Sequence, residues 1–374
     1  MRILFGTSHP KHVYIFKNVI INLMKRGHEV KVVAVKKEIT EYLLKKFDLP
    51  CTVIGKNQPK LYRKLAALPK WEYLTFKIAR EFKPDIFIGR ALPHLAHVSA
   101  IFRKPFILFE DTEHATKVQK ICLPFADVVV TPDCYKRSFK EKHIRFKSYY
   151  ELAYLHPKYF KPDPSVLDDL GLSKGDKFVI IRLVSWEAAH DIHSRGFSED
   201  FLEKAIKSLE EYGHVFITSE RKLNKNLEKY KIPIAPEKLH SALYYASLYF
   251  GEGGTTATES ALLGTPSVHV EGVLTRSGEL KDVIQALNIG VRDELVNKYG
   301  LCYTFADQYL ALNKALEILN DNNAKRKQKE KLKKVLEKKI DVTKFMTDFI
   351  ERYPESYYEY INSKKRHYES KKTS

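Results

Sequence analysis

Cysteine is scarce in this chain. The four present, Cys51, Cys122, Cys134 and Cys302, are widely separated and form no C-x-x-C, which excludes a zinc knuckle or a dithiol redox pair and leaves reduced, mostly buried thiols as the expectation. Long apolar runs are also missing. No stretch approaches the roughly 18 to 20 apolar residues of a membrane span, and the opening MRILFGTS turns polar too soon for a secretory signal. A cytoplasmic protein is expected, with peripheral docking on the inner face of the membrane as the alternative. H-x-x-H recurs at His9/His12, His94/His97 and His190/His193 without any H-E-x-x-H, so neither a metal site nor a cofactor is expected.

Carboxylates are under-represented where cations are dense. Residues 1–150 hold 29 Lys and Arg against 13 Asp and Glu, residues 151–320 hold 19 against 24, and residues 321–374 hold 16 against 9, for a net +18. A basic first half suits an anionic partner such as a membrane leaflet or a phosphorylated or lipid-linked acceptor; a Lys-rich solvated surface is the competing explanation. With 44% hydrophobic and 12% aromatic residues the chain is not disordered, and 374 residues suffice for two cores.

Apolar strand-like runs alternate with helical periods along most of the length. RILFGTS, HEVKVVAV, KPDIFIGRA, KPFILFED and ADVVVTPD predict parallel strands in the first half, with HVYIFKNVIINLMKRG as the first crossover helix. A proline-rich stretch, HPKYFKPDPSV, reads as a linker. KFVIIRLVSW, HVFITSE, LYFGEGG and PSVHVEG then begin a second series. The expectation is an α/β protein of two doubly wound, Rossmann-like domains facing across a cleft, 1–160 and 161–345, followed by a C-terminal helix and frayed basic tail over 346–374. The lysine-rich AKRKQKEKLKKVLEKKI is expected as a solvated helix, with nucleic acid disfavoured as its partner.

The most informative stretch is GEGGTTATESALLGTP, residues 251–266. A strand handing over to a helix through Gly251, Gly253 and Gly254 leaves the first N–H groups of that helix without intrahelical partners at the positive end of its dipole, where an anion is stabilised. Glycine lets a diphosphate approach the backbone. Thr255 and Thr256 are placed to cap the helix or donate to a phosphate oxygen, and Glu259, expected near the first turn, is placed to accept from ribose hydroxyls. The pattern is neither G-x-G-x-x-G nor a Walker loop.

G-x-G-G-T-x-x-x-E-x-x-x-x-G-x-P in the second of two doubly wound halves resembles the donor-nucleotide motif of GT-B glycosyltransferases. H-P-x-H-V, K-R-G-H-E-V, the K-P-D-I strand, E-D-T-E-H-A, L-P-F-A-D-V-V-V-T-P and S-W-E-A-A-H-D resemble the largely archaeal domain of unknown function 354 family over residues 1 to about 350. That resemblance implies a GT-B fold related to UDP-GlcNAc 2-epimerases and to the transferase that glycosylates a lipid-linked peptidoglycan precursor. It therefore implies a glycosyltransferase whose substrate is a sugar nucleotide, a UDP-sugar by preference. An epimerase-like enzyme, or a non-catalytic basic protein binding nucleic acid or membrane on a degenerate GT-B fold, are the alternatives.

Transfer needs a base for the acceptor hydroxyl and stabilisation of the departing diphosphate. His12, in a loop similar to the G-H loop of GT-B transferases, is the first candidate as base or acceptor-positioning residue. Asp111 and Glu113 are the second, because crowding in FEDTEHA can raise a carboxylate's pKa; a capping or salt-bridging role competes. Arg182 and Ser185, at the end of IIRLVS, are candidates for bracing the diphosphate, with an ion pair as the competing role for Arg182. The epimerase comparison fails at two places, where GRALPH stands for the G-D-T pattern and LVSWEAAHD for H-R-R-E-N.

Overall fold

The computed structural model describes residues 1–58, 60–185, 194–275 and 277–370. His190, Asp191 and His193 fall outside them. The chain divides into two compact units, Met1–Tyr154 with Ile340–Ser374, and Leu155–Lys339.

The first unit is built on one parallel sheet of strands β1 (Arg2–Thr7), β2 (Glu29–Lys36), β3 (Cys51–Lys56), β4 (Ile86–Gly89), β5 (Phe106–Phe109), β6 (Val128–Pro132) and β7 (His143–Phe146), in the order β3-β2-β1-β4-β5-β6-β7. β1, β4, β5 and β6 are almost wholly buried, as strands covered by helices on both faces must be, and so they read as continuous apolar runs. The order reverses between β1 and β4, which makes the carboxyl ends of those strands the topological switch point. The helix Pro10–Lys25 follows β1 directly. Pro10 needs no N–H in the first turn, His9 Nδ1 accepts from Lys11 N at 3.1 Å, and Val13, Phe16, Ile20 and Leu23 form its buried stripe.

The helix Val342–Glu351 belongs to this unit, so the boundary expected between 345 and 346 falls inside a packed helix. Asp341 caps its start, Thr343 Oγ1 donates to Ala153 O at 2.9 Å, and Arg26 pairs with Asp348 at 2.9 Å.

In the second unit β8 (Phe178–Leu183), β9 (Ser194–Arg195), β10 (His214–Ser219), β11 (Leu248–Gly251), β12 (Ser267–Val270), β13 (Gly272–Leu274), β14 (Leu280–Asp282) and β15 (Tyr303–Phe305) form two sheets. The main one is parallel, in the order β10-β8-β11-β12-β15; a small antiparallel sheet runs β14-β13-β9. Here the order reverses between β8 and β11. The lysine-rich helix Ala324–Leu336 buries only Gln328 and Val335, as its composition predicts. Cys122 and Cys302 are buried and Cys51 and Cys134 half-buried, all as free thiols. No helix among the described residues is long and apolar enough to cross a membrane.

Candidate active site

At the switch point of the first unit, charged side chains converge from several strand ends. Arg90 follows β4, Glu110 and Asp111 follow β5, Lys11 lies in the first turn of Pro10–Lys25, and Glu151 lies beyond β7. Arg90 Nη2 donates to Glu110 Oε1 at 2.9 Å and to Asp111 Oδ1, and Lys11 Nζ bridges Asp111 Oδ2 at 2.9 Å and Glu151 Oε1 at 2.8 Å. All but Lys11 are nearly inaccessible. Burial alone would raise the Asp111 pKa, but the adjacent Arg90 and Lys11 outweigh it and hold the carboxyl well below the usual range. The crowding in FEDTEHA was expected to raise a carboxylate's pKa. For Asp111 the structure reverses that direction, because the cations arrive from elements distant in sequence.

Glu113 is buried but turns elsewhere, accepting from Lys136 N at 3.3 Å. Glu110, besides Arg90, accepts from Asp111 N and Thr112 N and so shapes the turn after β5. His12 is half-buried, and its pKa is pushed well below the ordinary imidazole value by burial first and Arg90 second. Its Nδ1 accepts from Ser8 N at 3.3 Å. A backbone N–H can only donate, so the neutral ring carries its proton on Nε2, which makes that atom a hydrogen-bond donor. Among the described residues Arg90 Nη1, Glu151 Oε2 and Thr7 Oγ1 are buried with no hydrogen-bond partner.

The glycine loop of the second unit lies at the strand–helix junction expected for it. β11 ends at Gly251, Gly253 is the N-cap, and the helix runs Gly254–Leu262. Gly253 has no side chain with which to cap, and Thr255 and Thr256 do not take that role. The first-turn N–H groups therefore find no acceptor among the described residues. Glu252 braces the loop, its carboxylate accepting from Val184 N at 2.9 Å and Phe197 N at 2.7 Å; Tyr249 OH donates to Gly253 O at 2.8 Å.

A cation not foreseen from the sequence lies on this helix start. A Cβ added to Gly254 would stand 1.5 Å from Arg292 Nη2, so the glycine makes room for a guanidinium. His269 holds Arg292 in place. Its Nε2 lies 3.0 Å from Glu252 O and must donate to that carbonyl, leaving Nδ1 to accept from Arg292 Nη1 at 3.1 Å. Burial, then Arg292, lowers the His269 pKa and keeps the ring neutral in this role. Glu271, 3.4 Å from Arg292 Nη1, is held down to about 2: burial would raise it, but His269 and Arg292 prevail.

The other donor-side candidates divide. The stem of Arg182 lies against Gly253, where an added Cβ would be 2.9 Å from its Cγ. Its guanidinium is paired with Thr218 Oγ1 at 2.9 Å and with Glu220, and Ser185 N faces the same Glu220 at 3.5 Å. The ion pair that competed with diphosphate bracing is thus the state observed. Glu259 is the sixth residue of its helix, not in the first turn, and its buried carboxylate lies 3.2 Å from His240 Nε2.

Residues 2–353 match the family described as protein of unknown function (DUF354). The chain belongs to this family. An uncharacterized protein of Methanocaldococcus jannaschii is 24% identical to this DUF354 chain over 274 residues, covering 70% of this chain and 79% of that protein. Among solved structures, the UDP-GlcNAc 2-epimerase of Methanocaldococcus jannaschii in complex with UDP-GlcNAc and UDP superposes with a TM-score of 0.60 at 13% identity, over 86% of this chain and 94% of that one. The glycosyltransferase SsfS6 of Streptomyces sp. SF2575 superposes with a TM-score of 0.57 at 13% identity, over 94% and 100%. With two parallel doubly wound sheets, this likeness establishes the GT-B fold.

Proposed function

We propose that this DUF354 protein is a glycosyltransferase that takes a nucleotide-diphosphate sugar, a UDP-sugar by preference, through its second unit. One observation carries the reading: the helix Gly254–Leu262 opens with a glycine cap and unsatisfied N–H groups, and Arg292 lies directly beside them. Glu271 at 3.4 Å offsets the Arg292 guanidinium only in part and does not reach the helix-start N–H groups, whereas a diphosphate has the charge and the acceptor oxygens to join both. In this reading Gly253, Gly254, Thr255 and Thr256 receive the diphosphate with Arg292, and Arg182 is recruited from Glu220. Glu259, fixed by His240, takes the ribose.

The acceptor hydroxyl is assigned to the first unit. Arg90 Nη1 and His12 Nε2 offer donors and Glu151 Oε2 an acceptor, in a cluster of three carboxyl side chains against two cations. That balance suits a neutral hydroxyl better than an anionic group. His12 then positions the acceptor through its Nε2–H, and Asp111 fixes Arg90 and Lys11 instead of exchanging protons.

The decisive measurement is calorimetric titration with UDP and UDP-sugars. Arg292→Ala and Glu259→Gln should each weaken UDP binding about tenfold or more, the equivalent of about 1.4 kcal/mol, with the fold intact. Unchanged affinity in both would remove the donor assignment. Epimerase-type neighbours motivate a second reading, sugar-nucleotide epimerisation. Incubation with UDP-GlcNAc and no acceptor separates the two, since free UDP with a new sugar would favour the epimerase.

A further inference from the structure

The helix Leu61–Phe82 of the first unit has two apolar faces, and the core uses one. Trp71, Leu74, Ile78 and Phe82 pack inward with the fully buried Ala79. On the opposite side Tyr62, Leu65, Ala66, Pro69 and Tyr73 recur at helical spacing and face outward; Tyr62 is 61%, Leu65 54% and Tyr73 65% exposed. A helix whose only role was to cover the sheet would carry polar residues there. Arg63, Lys70 and Lys77, seven residues apart and all exposed, line one flank of the stripe. From Lys60 to Trp71 the chain holds four cations and no carboxylate. At the end of the neighbouring helix Pro93–Ile101, Ile101 is 63% exposed and is followed by Arg103 and Lys104, both exposed.

We propose that this face docks the protein on an anionic lipid surface. An exposed apolar stripe with tyrosines and a cationic margin is the arrangement by which a helix lies in the headgroup layer, with tyrosine rings at the boundary and Lys and Arg against lipid phosphates. The charge also selects against a second copy as the occupant, because two such faces would set Arg63, Lys70 and Lys77 against their own counterparts. The basic helix Ala324–Leu336 lacks the apolar component: its exposed positions are charged and its single leucine-rich edge is turned inward or half-covered.

The test is flotation of the full-length protein with phosphatidylglycerol-containing vesicles and with pure phosphatidylcholine vesicles. The expected result is salt-sensitive binding to the anionic vesicles only. Replacing Tyr62, Leu65 and Tyr73 by Ser together should reduce it at least tenfold, and Arg63→Gln with Lys70→Gln by about fivefold per cation removed, with circular dichroism unchanged. Arg326→Gln with Lys333→Gln, on the basic helix, should change binding less than about threefold by the same measure. No binding to anionic vesicles, or equal loss from the two pairs of charge variants, overturns the proposal. So does a concentration-dependent dimer abolished by the Ser variant, or retention of nucleic acid in place of lipid.

Discussion

The two units share one architecture, a parallel sheet whose strand order reverses at its centre, yet their switch points are filled in opposite ways. In the first, the helix after β1 is closed by the His9 side chain, and the strand ends are crowded with Arg90, Lys11, Glu110, Asp111 and Glu151, which largely satisfy one another. In the second, the helix after β11 is capped by a glycine with no side chain, and Arg292 leans on that open end. The first site is preorganised around its own charges, leaving the donors Arg90 Nη1 and His12 Nε2 and the acceptor Glu151 Oε2. The second pairs Arg292 with Glu271 but leaves the N–H groups at the helix start without an acceptor among the described residues. In the function proposed above, the same fold would prepare one unit for an uncharged acceptor and the other for a diphosphate.

The largest effect expected from breaking this contrast is Arg90→Ala. It would leave Glu110 and Asp111 buried with Lys11 as the remaining cation of the cluster, and removal of one partner from a buried ion pair costs about 3–5 kcal/mol. Urea denaturation should show that loss. A change below about 1 kcal/mol, the range of an exposed pair, would mean that water screens the cluster, and the contrast between the sites would lapse.

Acid should separate the units next. In the first, burial holds His12 well below the ordinary imidazole pKa and lowers His94 to about 3 and His143 to about 4; in the second, His269 is lowered by the same cause. A histidine with a folded pKa below its unfolded value of about 6.5 contributes stability above that pH and loses it as pH falls, at about 1.4 kcal/mol per pH unit for each fully buried ring. Asp111 does not contribute to this window. Its pKa is depressed, so its stabilisation persists until the pH passes below about 4, where unfolded carboxylates protonate. Hydrogen exchange corrected for intrinsic rates, from pH 7 to 4.5, should show protection falling faster in the first unit. Parallel loss in the two units would contradict the assignment.

Much of the fold was legible because buried parallel strands announce themselves as apolar runs. β3, β7, β15 and the three short strands β9, β13 and β14 of the small antiparallel sheet were not foreseen. β3 leaves Thr52 and Val53 exposed at the sheet edge, and β15 is only the three residues YTF, half-buried, so neither carries a full period. The position of the glycine loop was legible for the opposite reason, since all its determinants are contiguous. Arg292 was not, because nothing in IGVRDE ties it to a loop nearly forty residues earlier. Arg90 had a faint signal, a charge placed straight after the buried strand IFIG. The depressed pKa of Asp111 depended on Lys11 and Arg90 arriving from two other elements, which local crowding could not reveal.

A narrower perturbation acts on the open helix end. Gly254→Ala inserts a methyl where the Arg292 guanidinium lies. Because that group is the far end of a flexible side chain, it can swing away, and alanine is the better helix former. Stability should therefore change little while UDP affinity falls about tenfold. If affinity and stability fall together, Arg292 is a structural prop and not a ligand-binding group.

The smallest expected stability effect comes from making the second site resemble the first. Gly253 has φ −82° and ψ 101°, an extended conformation open to any L-residue, so Gly253→Ser can place a hydroxyl over the free N–H groups much as His9 does in the first unit. Serine exceeds glycine as an N-cap by only a few tenths of a kcal/mol, and the close Arg182 Cγ must shift to admit the new Cβ. Thermal unfolding should thus move by no more than about 2 °C for a domain of this size. The same hydroxyl would occupy the donors that a diphosphate needs. Calorimetry should then show UDP binding weakened well beyond the stability change, and a serine variant that binds UDP as the parent does would mean that the open helix end is not where the nucleotide lies.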